Sequence, residues 1–215
     1  VNGAGKTSIF KMMTTEEHLT FGSAYIQGMN LKWNMNIYKE MGYCPQFDAV
    51  LVDLTVRETL KIFALLRGIP VNKIKRLSEE LANSFGFTRH LDKKIKTLSG
   101  GNKRKLSTAI ALIGSPSLIL LDEPTTGIDP ASKRQLWTVL GRIRNEGKSI
   151  VLTSHSMEEC EALCTRSVIM VNGEFKCIGS TQHLKNTFSK GLILKLKVQT
   201  EEQQSEAMEK VKEFV

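Results

Sequence analysis

The sequence has little that would staple it, anchor it or mark it for export. Its 215 residues include four cysteines, Cys44, Cys160, Cys164 and Cys177, and their spacing matches no metal-ligand pattern. Cys160 and Cys164 sit four apart, on one face of a predicted helix, and all four are read as reduced cytosolic thiols rather than a disulfide framework. No apolar run approaches the ~20 residues that a membrane helix needs. Val1 is not followed by a charged-then-apolar leader, so no signal peptide is expected. There is also no internal repeat, no low-complexity tract and no basic strip interleaved with aromatics. Lysine and arginine outnumber aspartate and glutamate by 30 to 22, a net charge of +8. The basic residues are spread out, and Glu58, Glu79, Glu80, Glu158, Glu159 and Glu161 break up their field. This balance reads as a solvated face with some attraction for phosphate ligands, and no nucleic-acid partner is expected. Hydrophobic residues make up 41% of the chain and charged residues 24%, enough to bury the core of one domain with at most a small appendage.

Periodicity and turn chemistry then divide the chain. A helix is predicted over residues 7–13, and short strands and a loop over 20–47, ending near Pro45. Thr55-Val56-Arg57-Glu58 fits a capping box, with Leu60, Phe63, Ala64 and Leu66 following at helical spacing until Gly68 and Pro70 stop the helix. Ile74, Leu77 and Leu81 mark a second helix over 71–85, ended by Gly86. Residues 88–97 are polar, then comes Leu98-Ser99-Gly100-Gly101-Asn102, and a further helix follows to about Ile113. Leu118–Leu121 and Ser149–Thr153 read as strands buried on both faces of a parallel sheet. Between them Asp129 caps a helix that has Pro130 at its first position and Gly147 past its end. Ser156-Met157-Glu158-Glu159 is a second capping box, and Asn172-Gly173 joins the strands Ser167–Val171 and Glu174–Ile178 in a hairpin. A helix over 180–188, an alternating strand over 191–199 and a helix over 201–215 follow. The pattern is α/β with a mainly parallel sheet, carrying a mostly helical insertion at about 50–114.

The chemistry begins at Asn2-Gly3-Ala4-Gly5-Lys6-Thr7-Ser8, most of the pattern G-x-x-x-x-G-K-[ST]. Glycines let the backbone wrap closely round phosphates with its N–H groups pointing inward, and the following helix adds its positive end. Lys6 reaches the β- and γ-phosphates in such a loop, and the Thr7 hydroxyl reaches Mg²⁺. The first glycine of the pattern would fall before Val1. Leu118–Leu121 then delivers Asp122-Glu123 to the carboxyl edge of the sheet, where phosphate-binding loops are met by a magnesium-associated aspartate. Glu123 is placed to polarise an attacking water.

With these two elements set, four further motifs carry a resemblance. Leu98-Ser99-Gly100-Gly101-Asn102 resembles the signature motif of ABC transporter nucleotide-binding domains, with Asn102 where Gln is usual. Tyr43-Cys44-Pro45-Gln46 looks like the Q-loop, Thr125-Thr126-Gly127-Ile128-Asp129 like the D-loop, and Thr153-Ser154-His155 like the switch-histidine loop. The wording at 42–46, 99–107 and 154–164 is similar to subfamily A, and Ile169–Gly173 with His183-Leu184-Lys185 resembles the second domain of that subfamily's pair. The resemblance covers residues up to about 190. It implies a P-loop NTPase fold of the ABC type over 1–190, lacking the strands that precede the phosphate loop and the aromatic that stacks on adenine. A piece without that central strand is expected to fold poorly alone. Residues 191–215 are read either as the start of a C-terminal regulatory domain or as a solvated tail.

The resemblance also implies roles. ATP and Mg²⁺ would be bound by residues 2–8, with Thr7, Gln46 and Asp122 toward the metal, Asp122 through water. Glu123, His155 and Gln46 would be catalytic. Ser99, Gly100, Gly101 and Asn102 would face the γ-phosphate held by a second nucleotide-binding domain, with Asp129 acting across that contact. Partners would be that second domain and transmembrane domains, on the cytoplasmic face of a membrane, moving phospholipid or sterol. Every catalytic position holds a competent residue type, which disfavours an ATP sensor that does not hydrolyse. A soluble ABC ATPase acting on ribosomes or nucleic acid is the runner-up. An unrelated P-loop kinase or GTPase leaves Ser99-Gly100-Gly101 unexplained.

Overall fold

The computed structural model describes residues 3–32, 35–47 and 49–188. Asn2 and the strand and helix expected over 191–215 lie outside the described residues. The chain divides into two units, Val1–Thr181 and Gln182–Val215.

The first unit is built on three parallel strands in the order β3 (Met41–Cys44), β4 (Leu118–Asp122), β5 (Ser149–Thr153). Leu121 pairs with Cys44 on one side and Leu152 on the other, so all three strands end at the same edge. All five residues of β4 are buried. Its side chains alternate between two cores: Leu118 and Leu120 join Phe10, Ile26, Leu31, Ile37 and Met41, while Ile119 and Leu121 join the larger cluster of the helical side. Full burial of each such Leu or Ile contributes about 1.5–3 kcal/mol, and this explains why the central strand is apolar throughout rather than alternating.

Helix α1 (Lys6–Met13) covers one face of the sheet through Phe10. It is followed by the small hairpin β1 (Tyr25–Ile26) and β2 (Met29–Asn30) and a 3-10 turn at Met35–Lys39. The insertion between β3 and β4 holds α2 (Val56–Leu66), α3 (Val71–Phe85), two 3-10 turns and α4 (Gly100–Ala111). The Thr55 capping box forms as the sequence predicts, and Gly86 ends α3 in the left-handed conformation at φ 70°. Residues 88–97, polar by composition, are pinned by buried Leu91 and Ile95. Helix α5 (Pro130–Asn145) connects β4 to β5, and α6 (Met157–Leu163) leads to the antiparallel pair β6 (Ser167–Val171) and β7 (Glu174–Gly179). Asn172 and Gly173 both take positive φ, 50° and 81°, as a two-residue hairpin turn demands. Helix α7 (Thr181–Phe188) starts at the last residue of the first unit, and within the second unit it carries a Gln182–Asn186 side-chain hydrogen bond of 3.1 Å.

Two expectations are corrected. Strand β5 is not buried on both faces: Ser149 and Val151 are exposed, and only Thr153 is fully buried. Among the described residues β5 pairs with β4 alone, and a cavity of 560 Å³ lined by Ile9, Phe10, Val151 and Met170 lies along it. The second capping box forms only in part. Ser156 accepts from Glu159 N at 3.4 Å, but the Glu159 carboxylate turns to Ser154 Oγ, which itself accepts from Ser156 N at 2.9 Å. A neighbouring hydroxyl has taken the place of the reciprocal carboxylate. No helix among the described residues is long and apolar enough to cross a membrane.

Candidate active site

The site is assembled where the three parallel strands end. Gly3 and Gly5 take φ values of 73° and 95°, left-handed conformations that a β-carbon disfavours. The turn they make puts Ala4 inside, 3% exposed, with its carbonyl accepting from Gly173 N at 3.0 Å. A β-carbon at Gly5 would also lie 3.0 Å from Met170 Cε, the mobile end of a side chain. The loop opens α1 with Gly5 as a cap that offers no side-chain hydrogen bond, and the first turn of a helix is suited to an anion. Lys6 and Thr7 occupy the first turn, and Ser8 is exposed beside them.

Thr7 Oγ1 donates to Asp122 Oδ2 at 2.8 Å, joining residues 115 positions apart. Asp122 is 1% exposed and also accepts from Thr153 Oγ1. Two hard oxygen donors, from α1 and from the end of β4, thus converge beside the phosphate-type loop. A buried carboxylate next to a hydroxyl fits Mg²⁺, which takes one or two carboxylates and keeps oxygen ligands elsewhere. Among the described residues there is no cluster of three or more His, Cys, Asp or Glu side chains that could hold a metal ion. None of the four cysteines is in a disulfide.

Glu123, one residue past the strand, adopts φ 49°. Its N–H is held by Thr153 Oγ1 at 3.0 Å and by Thr153 O at 3.2 Å. Its carboxylate meets His155 Nε2 at 2.6 Å and Thr126 Oγ1 at 3.1 Å. His155 follows β5, so carboxylate and imidazole are brought together by two neighbouring strand ends. Gln46, just past β3, is exposed at the same edge. Tyr43, on the same strand, has its phenol pushed up to about 12 by burial, then by the charges of Glu16 and Asp122.

The signature residues stand apart from this cluster. Ser99 caps α4, accepting from Asn102 N at 3.3 Å. Gly100 is exposed, and a β-carbon there would meet open space. A β-carbon on Gly101 would lie 3.5 Å from Gly127 O, so the signature meets the loop before α5 rather than the phosphate loop. Asp129 caps α5 through Ser132 N at 3.0 Å, and that bond holds its carboxyl below the usual range. Sequence reasoning missed three participants. Thr153 bonds both acidic residues from across the fold, and Thr126 bonds Glu123 from within the following turn. Arg104 donates to carbonyls at the ends of β3 and β4. Its signal was a charged residue on the α4 face that continues with buried Thr108 and Ala111.

A phosphate-type loop, a buried aspartate at a parallel strand end and a carboxylate–imidazole pair beside it define an α/β P-loop nucleotide-binding domain. Residues 1–126 match the family described as ABC transporter, and the chain belongs to that family. Over its whole length it is 54% identical to the human phospholipid-transporting ATPase ABCA3, of which it spans 13%. It is 53% identical over 93% of its length to the human retinal-specific phospholipid-transporting ATPase ABCA4, spanning 9% of that protein, and 52% identical over its whole length to rat ATP-binding cassette sub-family A member 17, spanning 12%. Among solved structures, the ATP-binding subunit of an ABC transporter superposes with a TM-score of 0.79 at 27% identity, over 87% of this chain and 79% of that one. A dimeric ATP-binding cassette in a post-hydrolysis state with ADP and Pi superposes with a TM-score of 0.77 at 20% identity, over 84% and 82%.

Proposed function

We propose that this chain binds and hydrolyses MgATP as a nucleotide-binding domain of a subfamily A ABC transporter, and that the hydrolysis drives movement of phospholipid or sterol through transmembrane domains of the intact protein. The observation that carries the catalytic half is the convergence of Thr7, Asp122, Glu123 and His155 at one sheet edge. The lipid half is supported by 54% identity to a phospholipid-transporting ATPase.

Residues 2–8 hold the triphosphate, with Lys6 as the charged contact. Thr7 and Asp122 hold Mg²⁺, with Gln46 reaching toward it. When bound, the ion would supply charge neutralisation for the phosphates. Glu123 accepts the proton of the attacking water, and His155, at hydrogen-bond distance from it, fixes its direction and contacts the γ-phosphate. Ser99, Gly100, Gly101 and Asn102 present the N-terminus of α4 to nucleotide on a second nucleotide-binding domain, with Asp129 at the same contact. The motif wording at 169–173 and 183–185 favours the second domain of the subfamily's pair. The domain then works on the cytoplasmic face of a membrane.

The test is ATP turnover by the intact protein in vesicles across a lipid panel, with Glu123→Gln beside the parent. We expect turnover to rise with particular phospholipids or sterols. In the variant it should fall on the order of a hundredfold, ~2.7 kcal/mol of barrier, while ATP still binds. Turnover indifferent to every lipid removes the transport reading, and equal turnover in variant and parent removes Glu123.

A further inference from the structure

Arg104 lies on α4, five residues past the Ser99 cap, and is 3% exposed. Its guanidinium reaches out of the helical insertion to the edge where the sheet strands end. Nη1 donates to Pro45 O and, at 3.2 Å, to Gln46 O. Nη2 donates to Asp122 O and, at 3.0 Å, to Glu123 O. One planar side chain therefore fastens the backbone on which the Q-loop glutamine is carried and the backbone on which both acidic residues are carried. A guanidinium presents its donors in a fixed fork, so the two loops are held at a set separation and angle; an ammonium is a single point that cannot span both.

The bond to Glu123 falls where the chain most needs it. Glu123 is a non-glycine residue at φ 49°, a left-handed conformation with a steric cost for an L-residue. Such a conformation persists when its surroundings over-determine it. Here the N–H side of the residue is fixed by Thr153 of β5 and the C=O side by Arg104 of α4. The direction of the carboxylate toward His155 thus depends on α4 keeping its place. The same helix begins with the signature residues: Ser99 is its cap, and Gly101 is packed near Gly127 O. A short, continuous helix joins the two ends, and movement of its N-terminus moves Arg104.

We propose that Arg104 is a positioning residue that ties the signature helix to the chain's own acidic pair, so that whatever engages the N-terminus of α4 adjusts Glu123 and Gln46. This rests on the reading of Glu123 given above. It goes beyond that reading by giving the signature motif an effect on the site of its own chain as well as on nucleotide held by the opposite domain.

The experiment compares Arg104→Lys, Arg104→Met, Glu123→Gln and the double variant Arg104→Lys/Glu123→Gln with the parent, in the intact protein in vesicles. ATP affinity is read from a fluorescent nucleotide and turnover from phosphate release. We expect both Arg104 variants to bind ATP as the parent does. Their kcat should fall between about tenfold and a hundredfold, as for a reacting group displaced by a distant change. Lysine should not rescue kcat. In the Glu123→Gln background, Arg104→Lys should cost little more, because residues acting through one another are not additive. Parent-like kcat in Arg104→Lys overturns the proposal, as do additive losses in the double variant. Loss of ATP binding together with turnover in both variants makes Arg104 a structural strut and overturns it too. Parent-like turnover in Glu123→Gln instead strikes the catalytic reading itself, so the two failures are distinguishable.

Discussion

Gly42 shows how a single missing side chain supports the site. It lies on β3 against the end of α4, and a β-carbon there would fall 1.9 Å from Ala111 O and 3.0 Å from Pro116 Cγ. The obstacle is backbone, which cannot swing aside. We expect Gly42→Ala to force β3 and α4 apart and destabilise the domain by about 1–3 kcal/mol or more, the range for overpacking; thermal melting of the nucleotide-binding domain within the intact protein checks this, and an unchanged midpoint contradicts it. Residues with local grammar were legible in the sequence: Gly3, Gly5, Lys6 and Thr7 are contiguous, and Asp122-Glu123 ends an unmistakable strand. Thr153 on Asp122 and Arg104 on four carbonyls were not, because each bond is defined only once distant parts of the chain share an edge, and Thr126 on Glu123, three residues away, depends on the turn that starts at Glu123 with φ 49°.

Elements were legible wherever a cap or stop marks them. Helix α2 starts after Thr55, whose hydroxyl accepts from Glu58 N at 3.2 Å while Glu58 Oε2 accepts from Thr55 N at 2.8 Å. The Thr55 backbone bond first, and its hydroxyl second, hold the Glu58 carboxyl below its ordinary value. A carboxyl depressed in the folded state favours folding above its unfolded-state pKa, and that contribution disappears as pH falls through the folded-state value. We expect Thr55→Ala to cost about 1 kcal/mol of stability at neutral pH, as for loss of an N-cap. The Glu58 titration should move back up toward the ordinary carboxylate range, while the surviving backbone bond keeps it somewhat depressed. Melting and carbon-detected NMR titration read the two effects, and a Glu58 pKa that does not rise contradicts the assignment of its cause. The elements that misled are those whose environment lies outside their own sequence. Ile150 and Leu152 pack on the helical core, yet Val151 between them faces an open cavity, so an apolar strand was read as buried on both sides. At α6 the Ser156 box was complete in sequence, but Ser154, two residues earlier, competed for the Glu159 carboxylate.

At the scale of the molecule the parallel order β3-β4-β5 and the helical insertion between β3 and β4 follow from the alternation of buried strand and helix. The net charge of +8 does not follow from that architecture and has two readings. If the charge were a nucleic-acid footprint, cations would gather on one face around aromatic stacking surfaces. Instead several cations are held by local acids, Arg57 with Asp92 at 2.7 Å, Arg76 with Glu80 at 2.7 Å and Lys11 with Glu17 at 3.2 Å. These exposed pairs stabilise the fold little, but each sets an acid beside a cation that a phosphate backbone would otherwise meet. RNA or DNA should therefore leave ATP turnover of the intact protein unchanged at an ionic strength of about 0.15 M, and any association seen at low salt should fade steeply as salt rises, the behaviour of non-specific counterion release. Turnover measured with and without ribosomes, RNA and duplex DNA checks this: a salt-resistant stimulation by any of them would overturn the proposed transport role in favour of a soluble ATPase, whereas indifference is the outcome that proposal expects.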